Sequence, residues 1–341
     1  MAVAFTCGHD HSVTNDAALP VGATQAQAAS TRFGILQMSP IPSASWWRDR
    51  CRQVEGLGFS SLLLSDHCDR SPVAPLPAVT AAAAHTETLR VGTLVLNNDL
   101  RHPGVLAKEL ATVALLSDGR LEVGIGAGWM QDDYDQLGLP LDPAPARVTR
   151  LAEAVGVLRG ALAEDEFSHH GEAYRLDRLR TVPAGTGETV RILIGGGGRR
   201  VLSLAARQAD IVSINWNVRA GVMGPDALSS GSPEVTDEKM RWVDAARGER
   251  RPEIHMQCYL LRITDRPVDA VSTWLTSLGV AATDPVKMLA CPHVLVGPID
   301  ALVERVMGLR ERWGVSYLSF YDSALDDAAT LLANVPSNYL A

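Results

Sequence analysis

A rhythm constrains this chain most. Short aliphatic runs recur near 33–38, 60–65, 89–96, 121–126, 190–195, 210–215, 253–261 and 315–320. Segments of helical period lie between them, at about 45–57, 75–87, 103–117, 145–162, 198–209, 237–248 and 298–313, with another at 323–334 after the last run. The runs are apolar on both faces rather than alternating, which marks strands covered on both sides, and the repeated strand–helix order marks a parallel sheet. Eight such units predict an α/β fold, a (β/α)8 TIM barrel with insertions. An open doubly wound sheet is the alternative.

A barrel of this kind needs a large core, and 341 residues with 46% hydrophobic side chains supply one. The rhythm assigns residues 32–341 to one domain, with insertions near 163–189, 216–236 and 267–292, none of which reads as a second core. Residues 1–31, rich in Ala, Thr, Ser, Asn and Gln without periodicity, read as a mobile N-terminal extension. No window approaches the apolar length of a membrane span, and the start lacks the basic and apolar regions of a secretory signal, so a cytoplasmic protein is expected. A net charge of −8 gives nucleic acid no electrostatic purchase. Five widely spaced cysteines without a C-x-x-C pair fit reduced thiols. Cys7, His9 and His11 lie in a tail without further ligands, and no metal is expected.

In such a barrel the chemistry sits where the strands end. The second run passes into Asp66-His67, a carboxylate beside an imidazole. The third ends in Asn97-Asn98-Asp99, followed by Arg101-His102-Pro103. The fourth ends as Gly126-Ala127-Gly128-Trp129, nearly bare backbone meeting a flat ring, which suits the close approach of a planar ligand. The fifth opens into Gly195-Gly196-Gly197-Gly198-Arg199-Arg200 and a helix, where free N–H groups and two guanidiniums suit a phosphate. The sixth ends at Asn215-Trp216-Asn217. Bland readings compete: a loop cap for Asp66, a satisfied core histidine for His67, tight turns for Gly126 and Gly128. Four glycines and two arginines opening a helix are harder to explain by packing alone. They are not a P-loop, since no Gly-Lys-Ser/Thr follows, and Gly124-x-Gly126 is no dinucleotide fingerprint, because Trp129 takes the third glycine's place.

Together, several segments resemble the bacterial luciferase-like superfamily of flavin- and deazaflavin-dependent oxidoreductases, most of all its actinobacterial group of probable F420-dependent oxidoreductases. They are Leu64-Ser65-Asp66-His67, Leu89 to Asn98 with Arg101-His102-Pro103, Leu116-Ser117-Asp118-Gly119-Arg120, Gly124 to Trp129, Gly195 to Arg200 and Pro292 to Gly297. The resemblance spans about residues 32–336. It implies a TIM-barrel variant, in agreement with the strand count. It also implies that Asp66 and His67 lie beside the flavin-type ring, that Leu94 and Val95 form a non-prolyl cis peptide behind it, that Asn97, Gly128 and Asp132 touch the ring or its side chain, and that Gly195 to Gly198 cradle its phosphate.

The activity implied is hydride exchange between F420 and a small organic substrate, with reduction of a C=C or C=N bond as the direction drawn from the family. His67 would act as general acid or base, with Asp66 tuning it or contacting the cofactor. An FMN-dependent monooxygenase, in which reduced FMN meets oxygen and a separate reductase supplies it, is the alternative; a non-catalytic flavin-binding protein is the third. Arg199 and Arg200 weakly favour F420, whose glutamyl tail is polyanionic. The resemblance alone implies a homodimer. Sugar-phosphate dehydrogenases of the superfamily carry a catalytic glutamate where this chain has Trp129, which argues against that activity.

Overall fold

In the computed structural model, residues 30–218, 221 and 224–340 are described; nearly all of the N-terminal extension, with Cys7, His9 and His11, lies outside them. The barrel strands are β1 (Arg32–Gln37), β2 (Ser61–Leu64), β3 (Arg90–Thr93), β4 (Leu121–Gly126), β5 (Arg191–Gly196), β6 (Ile211–Ile214), β7 (Glu253–Cys258) and β8 (Val315–Tyr321). They pair in parallel in the spatial order β3-β2-β1-β8-β7-β6-β5-β4. Pairing of Val91 with Leu121 and of Gly92 with Glu122 joins β3 to β4 and closes the ring. The expected barrel is thus present, and the open sheet is not.

Strand alternation sorts the side chains. Phe33 and Ile35 face outward into the main apolar layer beneath the helices, while Leu36, Leu63, Leu193, Ile211 and Tyr317 fill the barrel interior. The N-terminal end of the barrel is closed by charge. Arg32 forks onto Glu253 at 2.7 and 2.9 Å and pairs with Glu122 at 3.0 Å, and Arg90 and Arg191 add bonds to the same two carboxylates. Burial pushes the Glu122 carboxyl up, but the guanidiniums of Arg32, Arg90 and Arg191 outweigh it and hold the group below the usual carboxylate range.

Two strands depart from their sequence expectation. The run expected over 89–96 is interrupted after Thr93: the Leu94–Val95 peptide is cis, and pairing resumes at Leu96–Asn97 against the end of β4. The run expected as one strand over 253–261 leaves the barrel after Cys258. Leu260–Ile263 instead pairs with Val294–Gly297 in a separate two-stranded sheet, and the Tyr259 N–H donates to the His293 carbonyl at 2.8 Å. Hydropathy continues across both breaks and does not register them.

The insertions carry elements of their own among the described residues. An antiparallel hairpin, Phe167–His170 with Arg175–Leu179, occupies the first. The second holds the short helix Pro225–Ser229 and the start of helix Pro233–Arg247, which begins before the expected 237 because Ser232 caps it and Pro233 opens it. A smaller apolar cluster joins the second and third insertions, with Trp216, Leu228, Val271, Leu275, Met288 and Val294. Helix Gln131–Leu137 is polar along most of its length and carries no hydropathy signal.

Candidate active site

The mouth of the barrel is built from the strand ends upward. Beyond β2, the Asp66 carboxylate is buried and fully engaged: it accepts the Asn97 N–H at 3.0 Å and the two arms of Arg101 at 2.5 and 3.0 Å. It therefore fastens the β2 exit to the β3 exit. His67, next in sequence, has its backbone N–H on Ser71 Oγ at 2.7 Å and its Nδ1 2.7 Å from Asp133 Oδ2. Its ring meets Trp129 edge-on, with centroids 5.9 Å apart. One-fifth of the His67 side chain stays exposed, and its Nε2 has no partner among the described residues.

The glycines after β4 exist for space. Gly128 has a φ of +72°, and a Cβ there would collide with Tyr134 Oη and Asn97 Oδ1. A Cβ on Gly126 would come within 2.8 Å of Val95, the residue after the cis peptide. Arg147, nearly buried, donates to the carbonyls of Ala127 and Gly128 and holds the loop from outside. Tyr134 reaches Asp99 at 2.9 Å, and Arg150 clasps the same carboxylate at 2.7 and 2.8 Å. Asp66, His67, Leu94, Val95, Asn97, Gly126, Ala127, Gly128 and Trp129 thus belong to one side of the mouth, formed by the exits of β2 to β4. Asp132 is placed at the rim, more than half exposed and 3.7 Å from Arg70.

Beyond β5, Gly198 is the N-cap of helix Arg199–Gln208 and offers no side-chain cap, so the N–H groups of the first turn are left for another acceptor. A Cβ on Gly197 would strike the Trp216 carbonyl, and one on Gly195 would lie 3.2 Å from Asn215 Nδ2. Both Arg199 and Arg200 are exposed; Arg200 donates to Thr149 at 3.1 Å, and Arg199 has no partner among the described residues. This cradle, with a φ-specific glycine and bare backbone at β4, fits a ligand that joins a planar ring to a phosphate. Among the described residues no cluster of His, Cys, Asp or Glu could hold a metal ion.

The remaining exits carry apolar and aromatic groups. Tyr259 stacks on Trp216 with centroids 4.1 Å apart and lies 6.3 Å from Tyr321. Tyr321, at the end of β8, packs against the interior layer of Leu36, Leu63, Leu193, Ile211 and Tyr317, as Met38, Leu94 and Val95 also do, and its hydroxyl has no hydrogen-bond partner among the described residues. Beneath them runs a neutral chain: Ser213 and Ser319 each lie 2.7 Å from His255, whose pKa burial drives well below the ordinary value. Lys239 is buried with its Nζ 2.7 Å from the carbonyls of both Asn215 and Ser230, and burial pulls its pKa down to about 8. Sequence reasoning singled out neither Asp133 nor Lys239 nor Tyr321. The exit position of Tyr321 after the last run was the one available signal.

The sequence profile of the luciferase-like monooxygenase family matches residues 25–222. An F420-dependent glucose-6-phosphate dehydrogenase from Beutenbergia cavernae is 34% identical over 82% of this chain and 87% of its own. Proteins of the same name from Nakamurella multipartita and Microbacterium testaceum match over only 54% and 53% of their length, so the chain spans about half of those relatives. Among solved structures, an F420-dependent secondary alcohol dehydrogenase superposes with a TM-score of 0.71 at 17% identity, covering 90% of this chain and all (100%) of that one. A monooxygenase from Streptomyces bottropensis gives 0.68 at 23%, covering 89% of this chain and 96% of that one. At these identities the two structures establish the fold. With its closed parallel barrel and a family match over more than half its length, the chain belongs to the luciferase-like monooxygenase family, a family of oxidoreductases.

Proposed function

We propose that the protein is an F420-dependent oxidoreductase that exchanges a hydride with a small unsaturated substrate, reducing a C=C or C=N bond. The observation that carries this reading is the set of strand exits themselves: bare backbone, Asp66 and His67 beyond β2 to β4, an uncapped helix start beyond β5, and the aromatic rings of Tyr259 and Tyr321 at the exits of β7 and β8. The similarity to F420-dependent dehydrogenases supports the choice of cofactor.

Gly195 to Gly198, with Arg199 and Arg200, would hold the phosphate and the anionic tail, and the backbone of Gly126 to Gly128 with Leu94, Val95 and Asn97 would line the ring. When bound, the deazaflavin supplies the hydride. The rest falls to the chain. Asp66 and Arg101 fix the ring-side loop, His67 Nε2 gives or takes the accompanying proton, and Trp129 packs edge-on against the His67 ring and limits its movement. Tyr321 offers its phenol to a polar atom of the substrate. Trp129 carries no titratable proton, so in this reading the proton falls to His67, and a sugar phosphate is not the substrate this mouth favours.

The test is an anaerobic titration with F420 and FMN, each oxidised and reduced, following quenching of the tryptophans. Preferential binding of F420, with turnover lost by about 10²–10⁴-fold in His67→Ala and cofactor affinity kept, is the expected result. Preferential binding of reduced FMN would replace the reading with an oxygen-dependent monooxygenase served by a separate reductase. Binding of neither would leave a non-catalytic protein.

A further inference from the structure

We infer that Asp133 is the positioning residue for His67, fixing which imidazole nitrogen carries the proton and which is left for chemistry. This rests on the reading of His67 as the proton-handling group. Asp133 lies on helix Gln131–Leu137, directly after the Trp129 loop, and its side chain is 1% exposed. Both its oxygens serve the loop after β2: Oδ2 lies 2.7 Å from His67 Nδ1, and Oδ1 accepts the Cys68 N–H at 2.8 Å. No lysine or arginine pairs with it among the described residues.

A buried carboxylate is held only by donors. Because Oδ2 can only accept, the proton on that bond belongs to His67 Nδ1, and Nε2 presents its lone pair to the open side of the ring. When Nε2 takes up a proton, the neighbouring carboxylate compensates the charge that forms. The next residue of the same helix, Tyr134, reaches Asn97 and Asp99. One short helix therefore sets the imidazole and also braces the loop after β3. Trp129, edge-on to the ring, limits its rotation while Asp133 holds the Nδ1 side.

Histidine 15N resonances of the full-length protein, with His67 assigned by its loss in His67→Gln, test this without substrate or cofactor. The unsubstituted protein should show the Nδ1–H tautomer at neutral pH and Asp133→Asn the Nε2–H tautomer, because the amide can donate to Nδ1. An Nε2–H tautomer in the unsubstituted protein overturns the inference, whether or not any variant folds. In turnover, Asp133→Asn should lose about 10³-fold in kcat with KM and cofactor affinity within about threefold, and the pH profile should shift. Adding Asp133→Asn to His67→Gln should cost less than about threefold more; an additive loss would assign Asp133 a structural role only. A tautomer switch in Asp133→Asn together with full turnover in His67→Ala would instead preserve the positioning and refute the proposed role of His67.

Discussion

Asp66 and Arg101 form a two-pronged ion pair between the neighbouring exits of β2 and β3, at 2.5 and 3.0 Å, and the same carboxylate takes the Asn97 N–H. Removing the acid leaves a buried N–H and a guanidinium without partners. Asp66→Ala should cost about 2–4 kcal/mol of stability in denaturant unfolding and weaken cofactor binding by an order of magnitude or more. Asp66→Asn keeps one acceptor and should fall between. A variant as stable and as tight-binding as the parent would show that the pair holds nothing in place.

Gly128 combines a positive φ with a site that a Cβ would overfill. Gly128→Ala should destabilise by about 1–3 kcal/mol and displace Tyr134 or Asn97. Calorimetry and a cofactor titration check this together, since backbone strain alone would lower the melting temperature while leaving affinity intact.

Lys239 sets a pH dependence whose sign is fixed. Its pKa, about 8 when folded against 10.5 as the ordinary value, means that the unfolded chain binds more protons between those limits. Stability therefore rises with pH over that window, relative to Lys239→Met, by about 3 kcal/mol in total at 1.4 kcal/mol per unit. Urea unfolding of both proteins from pH 7 to 11 measures the difference; a flat difference would mean that the ammonium is better solvated than its two carbonyl partners suggest.

Arg199 and Arg200 stand exposed at the start of helix Arg199–Gln208. Replacing both with alanine should weaken F420 by about tenfold at low salt, and the loss should shrink as salt screens the anionic tail. FMN, with a single phosphate, should lose less. Equal losses for both ligands would confine the arginines to the phosphate.

Tyr321→Phe removes a hydroxyl that has no partner among the described residues and keeps the ring that packs on the interior layer with Leu36, Leu63 and Tyr317. It should raise KM several-fold and leave cofactor affinity unchanged. A fall in cofactor affinity would move Tyr321 to the ring side of the mouth.

The barrel was legible because β1, β2, β4, β5, β6 and β8 are continuous, largely apolar runs closed by polar residues, the pattern of strands covered on both faces. The exits followed from the same pattern, which is why Asp66, His67, the glycines after β4 and Gly195 to Gly198 could be named from sequence. What escaped was set by tertiary pairing. Cys258 and Leu260 read as one run, yet the chain changes sheets between them. Asp133 sits in a short polar helix, 66 positions from His67, and no periodicity links the two. Lys239 looks like any helix-surface lysine until the carbonyls of Asn215 and Ser230 are brought over it.

The ion-paired floor made by Arg32, Arg90, Glu122, Arg191 and Glu253 has a kinetic consequence. With the interior above it filled by side chains, that base leaves the strand-end mouth as the face where ligands meet. If the cofactor lies against the bare glycines beneath the substrate, as proposed above, steady-state patterns should show a compulsory order of arrival, cofactor first, rather than a random one.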